Sequence, residues 1–284
     1  MSLETVSFEG HEGLRLERDG TALVVTTSAG PRILGLLHEG RNLLAVLPGA
    51  GLELPGGRTF TFLGGHRLWA APEVTEVTYQ PDDLPCSVIE VDGGVRVEAP
   101  VDGAGLVKAI EVRPEVDGWT IDHVLRNESG RTMTLAPWAV TQVRLGGEVL
   151  VPTGAEERGA QANRSLVLWP YTDLGDPRIH VGRDEVRVRA VPGGPRLKLG
   201  AAPSRGLVVY EMDGLCFEKT IEVDPGATYA DRGAPVQVYL CDEFVELETL
   251  GPLRPIRAGG SATHRERWSL RPVQTGGDAR SDQP

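Results

Sequence analysis

The chain has 284 residues, 40% of them hydrophobic, and it carries a formal net charge of −11 at pH 7. This length is sufficient for one large globular domain or two ordinary ones. The acidic balance argues against nucleic acids and anionic membranes as partners, because like charges repel at long range. No apolar run is long enough for a transmembrane helix, and no secretory signal pattern follows Met1.

Three cysteines, Cys86, Cys216 and Cys241, are widely separated along the chain. They form no CxxC motif and no cluster with histidine, so the sequence predicts neither a disulfide framework nor a structural zinc site. We therefore expect a cytoplasmic protein without a cofactor or a bound metal.

Short strands joined by tight turns are predicted for the first third of the chain. Residues 14–17 and 22–27 flank a turn at residues 19–20, and residues 31–37 form a compact apolar run. Residues 48–57 are rich in Gly and Pro and indicate a loop.

Apolar and polar residues alternate in the later segments, which is the pattern of sheets with one buried and one wet face. The segments are residues 95–98, 107–112, 119–125, 186–190 and 197–199. The 36 Gly and 21 Pro also recur too often for long helices. The sequence therefore predicts an all-β fold of antiparallel sheets.

The chain shows no linker that would mark a domain boundary. We predict a single domain over residues 1–273 and a polar surface loop at residues 154–163. Residues 274–284 are polar and poor in apolar side chains, so a disordered tail is expected there.

Three short stretches combine aromatic residues with polar and charged ones: residues 64–73, 136–142 and 168–173. A sugar ring has apolar C–H faces and a rim of hydroxyls, so it binds flat aromatic rings and fixed polar groups. The candidate faces are Trp69, Trp138, Trp169 and Tyr171, and the candidate rim residues are His66, Arg67, Glu73, Thr141 and Asp173. The alternative interpretation is that these aromatic residues fill the space between two sheets.

Two glycines, Gly64 and Gly65, precede His66. Glycine permits backbone conformations barred to other residues, or the close approach of a ligand, and an ordinary turn would have the same sequence.

A late strand, residues 244–249, places Glu246 and Glu248 on one face and Val245 and Leu247 on the other. Two neighbouring carboxylates repel each other, which favours protonation of one of them at neutral pH. The alternative is an ordinary solvated strand face.

Several motifs resemble the galactose mutarotase-like (aldose 1-epimerase) superfamily. Residues 30–44 are similar to the family's early hairpin, residues 118–135 to its central hairpin and residues 245–270 to its C-terminal strands. The sequences GGHRLWAAPE at residues 64–73 and LETLGP at residues 247–252 resemble one branch of it. The resemblance covers most of the chain.

This resemblance implies a β-supersandwich with a sugar-binding groove, in which a glutamate accepts the proton of the anomeric hydroxyl and a histidine protonates the ring oxygen. The glutamate corresponds to Glu248. The histidine expected after the central hairpin is absent from residues 135–142, and His66, Arg67 and Lys219 are the candidates for its place. The branch pattern adds Lys219 and Asp231 as groove residues.

The sequence thus predicts a carbohydrate-binding protein with aldose 1-epimerase-like activity, with Glu248 and His66 as its catalytic residues. The alternatives are a non-catalytic carbohydrate-binding module and a protein that acts on another sugar derivative. An accessory domain of a lyase or hydrolase is a weaker hypothesis. The expected partner is a small-molecule sugar, and both a monomer and a homodimer remain open.

Overall fold

Antiparallel strands dominate the computed structural model, which describes residues 2–153, 160, 162–202 and 205–273. The helical segments of these ranges are two single turns, α1 (Thr75–Thr78) and α2 (Ala230–Gly233). The predicted all-β class is confirmed. The predicted tail at residues 274–284 and most of the predicted loop at residues 154–163 lie outside the described residues.

The strands of the first half of the chain are connected mainly by tight turns. In chain order they are β1 (Ser2–Phe8), β2 (His11–Arg18), β3 (Thr21–Thr26), β4 (Arg32–His38), β5 (Arg41–Asn42), β6 (Val46–Leu54), β7 (Arg58–Gly64), β8 (His66–Ala71), β9 (Ser87–Val91), β10 (Gly94–Glu98), β11 (Leu106–Glu115) and β12 (Gly118–Asn127). The predicted loop at residues 48–57 is mostly strand, because β6 pairs with β7 in a hairpin there.

The second half of the chain contributes twelve further strands among the described residues. They are β13 (Met133–Val143), β14 (Glu148–Pro152), β15 (Leu166–Leu168), β16 (Ile179–Val181), β17 (Glu185–Arg189), β18 (Leu197–Ala201), β19 (Leu207–Met212), β20 (Leu215–Thr220), β21 (Val236–Leu240), β22 (Val245–Leu250), β23 (Arg254–Ile256) and β24 (Ser261–Pro272).

Two large sheets are built from these strands. The front sheet has the order β1-β2-β3-β4-β8-β13-β22-β21-β18-β15, with β5 on β4 and β23 on β13. The back sheet has the order β16-β17-β14-β19-β20-β24-β12-β11-β10-β9. Neighbouring strands in the middle of the front sheet, such as β13 and β22, are distant in sequence.

The main hydrophobic core lies between the two sheets. It joins residues such as Leu199 and Leu247 of the front sheet to Trp119 and Trp268 of the back sheet. Between residues 263 and 268 of β24 exposed and buried residues alternate, so this part of the back sheet has one wet face. This alternation is the one that the sequence predicts.

The outer face of the front sheet is also partly buried, because the β6–β7 hairpin packs on it. Phe60 of the hairpin contacts Trp69 edge to face, with ring centroids 5.7 Å apart. Leu54, Trp138 and Leu250 join them in a second hydrophobic cluster. The hairpin covers only part of this face and leaves a groove beside it.

No helix among the described residues is long and apolar enough to cross a membrane. All three cysteines have free thiols.

Gly64 and Gly65 turn the chain from the hairpin into β8, and both have left-handed φ angles, of 81° and 69°. A Cβ atom on Gly65 would overlap the carbonyl oxygen of Ile33. The Gly65 amide donates a hydrogen bond to the Ala45 carbonyl at 2.7 Å. The glycine pair therefore provides both unusual torsion angles and close approach, and the approaching group is the protein's own backbone.

We predict that Gly65→Ala lowers the free energy of unfolding by about 2–4 kcal/mol, because left-handed strain and backbone overlap add together. Gly93→Ala is the matched control. Gly93 also has a left-handed φ, of 71°, but no atom would lie within 4 Å of its added Cβ, so about 1 kcal/mol is expected. Urea titration measures both values, and equal losses would contradict the role of backbone overlap.

Candidate functional site

A groove with a volume of about 620 Å³ opens on the outer face of the front sheet. Eight of its seventeen lining residues are aromatic: Phe62, Trp69, Tyr79, Trp138, Trp169, Tyr171, Tyr239 and Phe244. Five more are charged: Glu73, Arg196, Lys198, Glu243 and Glu246. The groove is therefore an aromatic channel with a charged floor.

Strand register places the floor residues side by side. Lys198 on β18 is opposite Tyr239 on β21, and Tyr239 is opposite Glu246 on β22. Trp138 on β13 is opposite Trp69 on β8. Residues directly opposite each other on antiparallel strands point to the same face of a sheet, and all of these side chains are on the groove face.

The loop after β15 supplies the far wall, which carries Trp169 and Tyr171. It is fixed to the floor through backbone bonds of Lys198: the Thr172 hydroxyl accepts from the Lys198 amide at 2.8 Å and donates to its carbonyl at 2.6 Å. The guanidinium of Arg196 lies 4.7 Å from the Tyr171 ring centroid.

A buried ion pair forms part of the floor. Lys198 Nζ donates to Glu248 Oε2 at 2.7 Å, and Trp138 Nε1 donates to the same oxygen at 2.8 Å. Lys198 Nζ also lies 4.8 Å from the ring centroids of both Trp138 and Trp169. Glu248 is fully buried beneath them, and within the described part of the chain its Oε1 has no hydrogen-bond partner.

Glu246 lines the groove and is joined to two residues behind it. Gln142 Nε2 donates to Glu246 Oε1 at 2.9 Å, and Arg67 Nη2 donates to Gln142 Oε1 at 2.6 Å. Burial, and then the nearby Glu248 carboxylate, raise the pKa of Glu246 to about 8. Glu246 is therefore mostly protonated at neutral pH.

The predicted site residues do not all lie together. Trp69, Glu73, Trp138 and Tyr171 line the groove, while Arg67 and Glu248 lie directly behind it. Asp231 is not a lining residue, but its Oδ2 accepts a hydrogen bond of 2.8 Å from Gln237, which is opposite Glu248 on the neighbouring strand. Asp173 is exposed outside the lining and accepts a bond from the Gly175 amide.

His66, Thr141 and Lys219 lie on the other side of the front sheet. His66 and Arg67 are consecutive on β8, so only one of them can face the groove, and that residue is Arg67. The structure thus separates His66 from Glu248, contrary to the expectation that they form one site. Among the described residues that line the groove there is no histidine.

The three displaced residues belong to a buried polar network between the sheets. His66 Nδ1 is 2.8 Å from Thr141 Oγ1, and His66 Nε2 is 2.6 Å from His123 Nε2. Lys219 Nζ donates to Thr141 Oγ1 at 2.8 Å and pairs with Glu266 Oε1 at 2.9 Å.

Potential ligand atoms of His66, His123 and Glu266 lie within 4.8 Å of one another, a spacing compatible with a metal ion. Both imidazoles, however, use their two nitrogens in hydrogen bonds, and Glu266 accepts from Trp268 Nε1 at 2.7 Å. Protein groups therefore already satisfy the cluster.

The network holds its histidines neutral. Burial lowers the pKa of His264 to about 3, and it also lowers the pKa values of His66 and His123. Burial alone would raise the pKa of Glu266, but the nearby ammonium group of Lys219 opposes it, and this pKa is lowered. An unfolded histidine binds a proton near pH 6.5, and a buried neutral one does not.

Acidification should therefore weaken the fold. As the pH falls, His264 is protonated in the unfolded state before it is protonated in the folded state. This difference lowers the free energy of unfolding by about 2 kcal/mol between pH 7 and pH 5. In His264→Gln this part of the loss should disappear, as thermal melts at both pH values can measure. Exposed His180→Gln is the control. A wild-type pH dependence in His264→Gln would contradict the assignment.

The sequence analysis does not single out several residues with site contacts, among them Tyr79, Gln142, Arg196 and Lys198. Lys198 is the middle residue of the alternating segment at 197–199. This alternation predicts a polar strand face, but it does not indicate that the face forms the floor of a groove. Its pairing with Glu248 depends on a register between strands about fifty residues apart.

No protein-family model matches this sequence, and no curated protein does. Solved structures are similar in fold. A galactose mutarotase-like protein of Lactobacillus casei ATCC 334 is 11% identical with a TM-score of 0.53, over 91% of this chain and 100% of that one. A candidate aldose 1-epimerase of Klebsiella pneumoniae is 10% identical with a TM-score of 0.57, over 94% and 81%. Another, of Escherichia coli K12, is 12% identical with a TM-score of 0.53, over 91% and 98%.

Proposed function

We propose that this chain, which has the galactose mutarotase-like fold of those structures, binds a sugar in the groove of its front sheet. The observation that carries the proposal is the set of three indole rings, Trp69, Trp138 and Trp169, around a charged floor. Indole rings pack against the C–H faces of a sugar, and fixed charges bind its hydroxyls.

The size and the chemistry of the groove support a small sugar. A volume of about 620 Å³ lies in the range of small-molecule sites, roughly 300–1,000 Å³. Lys198 offers ammonium donors to the floor, and Glu73 and Glu243 offer carboxylate acceptors. Free thiols on all three cysteines support the cytoplasmic location that we propose for this activity.

The test of sugar binding uses Trp169, which is partly exposed on the far wall of the groove. In Trp169→Ala we expect the affinity for the aldose that binds best to fall about tenfold, or about 1.4 kcal/mol, because one stacking face is lost. Leu168→Ala is the control, since Leu168 is the exposed neighbour outside the lining. Isothermal titration calorimetry with glucose, galactose and related aldoses measures both. Absence of binding to every aldose would contradict the proposal.

Anomer interconversion is a second candidate function, favoured by the two carboxyl groups on β22. Glu248 is held by an ammonium and an indole donor, whereas the raised pKa of Glu246 keeps it protonated. A base and an acid in adjacent positions are what ring opening needs, because the anomeric hydroxyl and the ring oxygen share one carbon.

In this reaction Glu248 accepts the proton of the anomeric hydroxyl while the bond between C1 and the ring oxygen breaks. The ring oxygen takes a proton from an acid in the groove. Rotation of the open aldehyde and reversal of both transfers give the other anomer and restore the protein. Lys198 covers Glu248, so the ammonium group of Lys198 must leave the Glu248 carboxylate and contact the sugar instead. The flexible four-carbon side chain of lysine permits this movement.

Proton NMR of freshly dissolved α-glucose and α-galactose follows the anomeric signals directly. We expect wild-type protein to accelerate equilibration and Glu248→Gln to reduce that acceleration by about a hundredfold or more. Sugar binding without acceleration by the wild type would contradict epimerase activity and favour a binding module. An unchanged rate in Glu248→Gln would exclude Glu248 as the base.

A further inference from the structure

A chain of three side chains connects the groove to the interior of the front sheet. Glu246 is 8% exposed at the groove surface, and Gln142 and Arg67 behind it are fully buried. Their two hydrogen bonds measure 2.9 Å and 2.6 Å. Glu248, the proposed base, is not part of this series of hydrogen-bonded side chains.

The direction of the chain follows from the donors available. An arginine side chain has only N–H donors, so the Gln142 atom that it contacts must be the amide oxygen. The Gln142 amide nitrogen therefore faces Glu246 and donates to Oε1. Because Oε1 accepts, the proton of neutral Glu246 resides on Oε2, which has no protein hydrogen-bond partner among the described residues.

Arg67 is fixed at the far end of this chain. Its guanidinium carbon lies 4.6 Å from the Trp69 ring centroid and 4.9 Å from that of Phe62. These rings restrict the guanidinium by cation–π contact and by packing. Its Nε and Nη1 atoms make no hydrogen bond, so the bond to Gln142 is its polar contact in the described structure.

Charged groups on its own strand and on other strands of the front sheet change the pKa of Glu246. Glu248 on the same strand raises its pKa, and Arg67 and Lys198 on other strands lower it, but burial is the largest influence and raises it. Ionised Glu246 would in turn raise the pKa values of Tyr79, Tyr171, Tyr239 and Cys241. These four groups are themselves neutral at pH 7.

We propose that Glu246 is the proton donor of the groove and that Arg67 and Gln142 are positioning residues that fix its orientation. This inference rests on the proposed sugar-binding function. A sugar ring oxygen has no hydrogen and can only accept, so it matches a neutral carboxyl group that presents O–H. Glu246 thereby takes the role of proton donor, for which the described groove lining offers no histidine.

In ring opening Glu246 gives the Oε2 proton to the ring oxygen as its bond to C1 breaks. The resulting carboxylate keeps the Gln142 bond and lies near the positive charge of Arg67. When the ring closes on the other face of C1, the former ring hydroxyl returns this proton to Glu246. Glu248 returns the other proton to the carbonyl oxygen, so both carboxyl groups recover their initial states.

The inference can be tested first without ligand, by ¹³C NMR titration of the glutamate carboxyl signals. We expect the signal that is lost in Glu246→Gln to titrate near pH 8. In Gln142→Leu its midpoint should move to higher pH, because the bond that favours the carboxylate is gone. Exposed Glu90→Gln should leave the midpoint unchanged. A Glu246 midpoint near 4.5, the ordinary value for this group, would overturn the inference.

The second arm uses the aldose that binds best. Wild-type affinity should fall about tenfold between pH 6.5 and pH 9.5 with a midpoint near 8, whereas Glu246→Gln, which keeps a neutral N–H donor, should bind independently of pH. Wild-type binding without this midpoint would overturn the donor role. If no aldose binds at any pH, the sugar-binding function fails, and the carboxyl titration separately decides whether Glu246 is protonated.

Discussion

Consecutive residues on a strand point to opposite faces of a sheet, and this constraint determines the chemistry on both sides of the front sheet. On β8 it sends His66 to the core and Arg67 to the groove. On β22 it sends Glu246 and Glu248 to the groove side and Thr249 to the core. Each pair of neighbours therefore serves two unrelated polar systems.

The two systems differ in how completely their buried charges are satisfied. In the core, Glu266 is paired with Lys219 and accepts further bonds from Thr249 and Trp268, so its desolvation is offset by several partners. On the groove side, Oε1 of Glu248, Oε1 of Gln237 and Nε1 of Trp69 have no hydrogen-bond partner among the described residues. Unused hydrogen-bonding capacity is thus present where we propose that the sugar binds, whereas the network around Glu266 has a structural role.

Much of the fold could be predicted from the sequence. Alternation in segments such as 107–112 and 119–125 identified strands of the back sheet, although their polar side chains, such as Lys108 and Asp122, are buried. The same reasoning placed Glu246 and Glu248 on one face. Groove and core faces could not be distinguished on β8 and β22, because every residue of both strands is buried. His66 and Arg67 were consequently assigned to one site when they belong to two.

The remaining site residues depend on distant pairing. Gln142 and Glu246 are 104 positions apart, and Lys198 and Glu248 are 50 apart. Local sequence contains no signal for such registers, since they follow from how the whole front sheet assembles.

The most direct test of sugar binding in this groove is ¹⁵N–¹H NMR of the five tryptophan indole groups during an aldose titration. Trp69, Trp138 and Trp169 line the groove, whereas Trp119 and Trp268 lie between the sheets and act as internal references. We predict that the three groove signals shift in a saturable manner and that the two core signals do not. Shifts of the core signals alone, or saturable binding that leaves all three groove signals unchanged, would contradict this account.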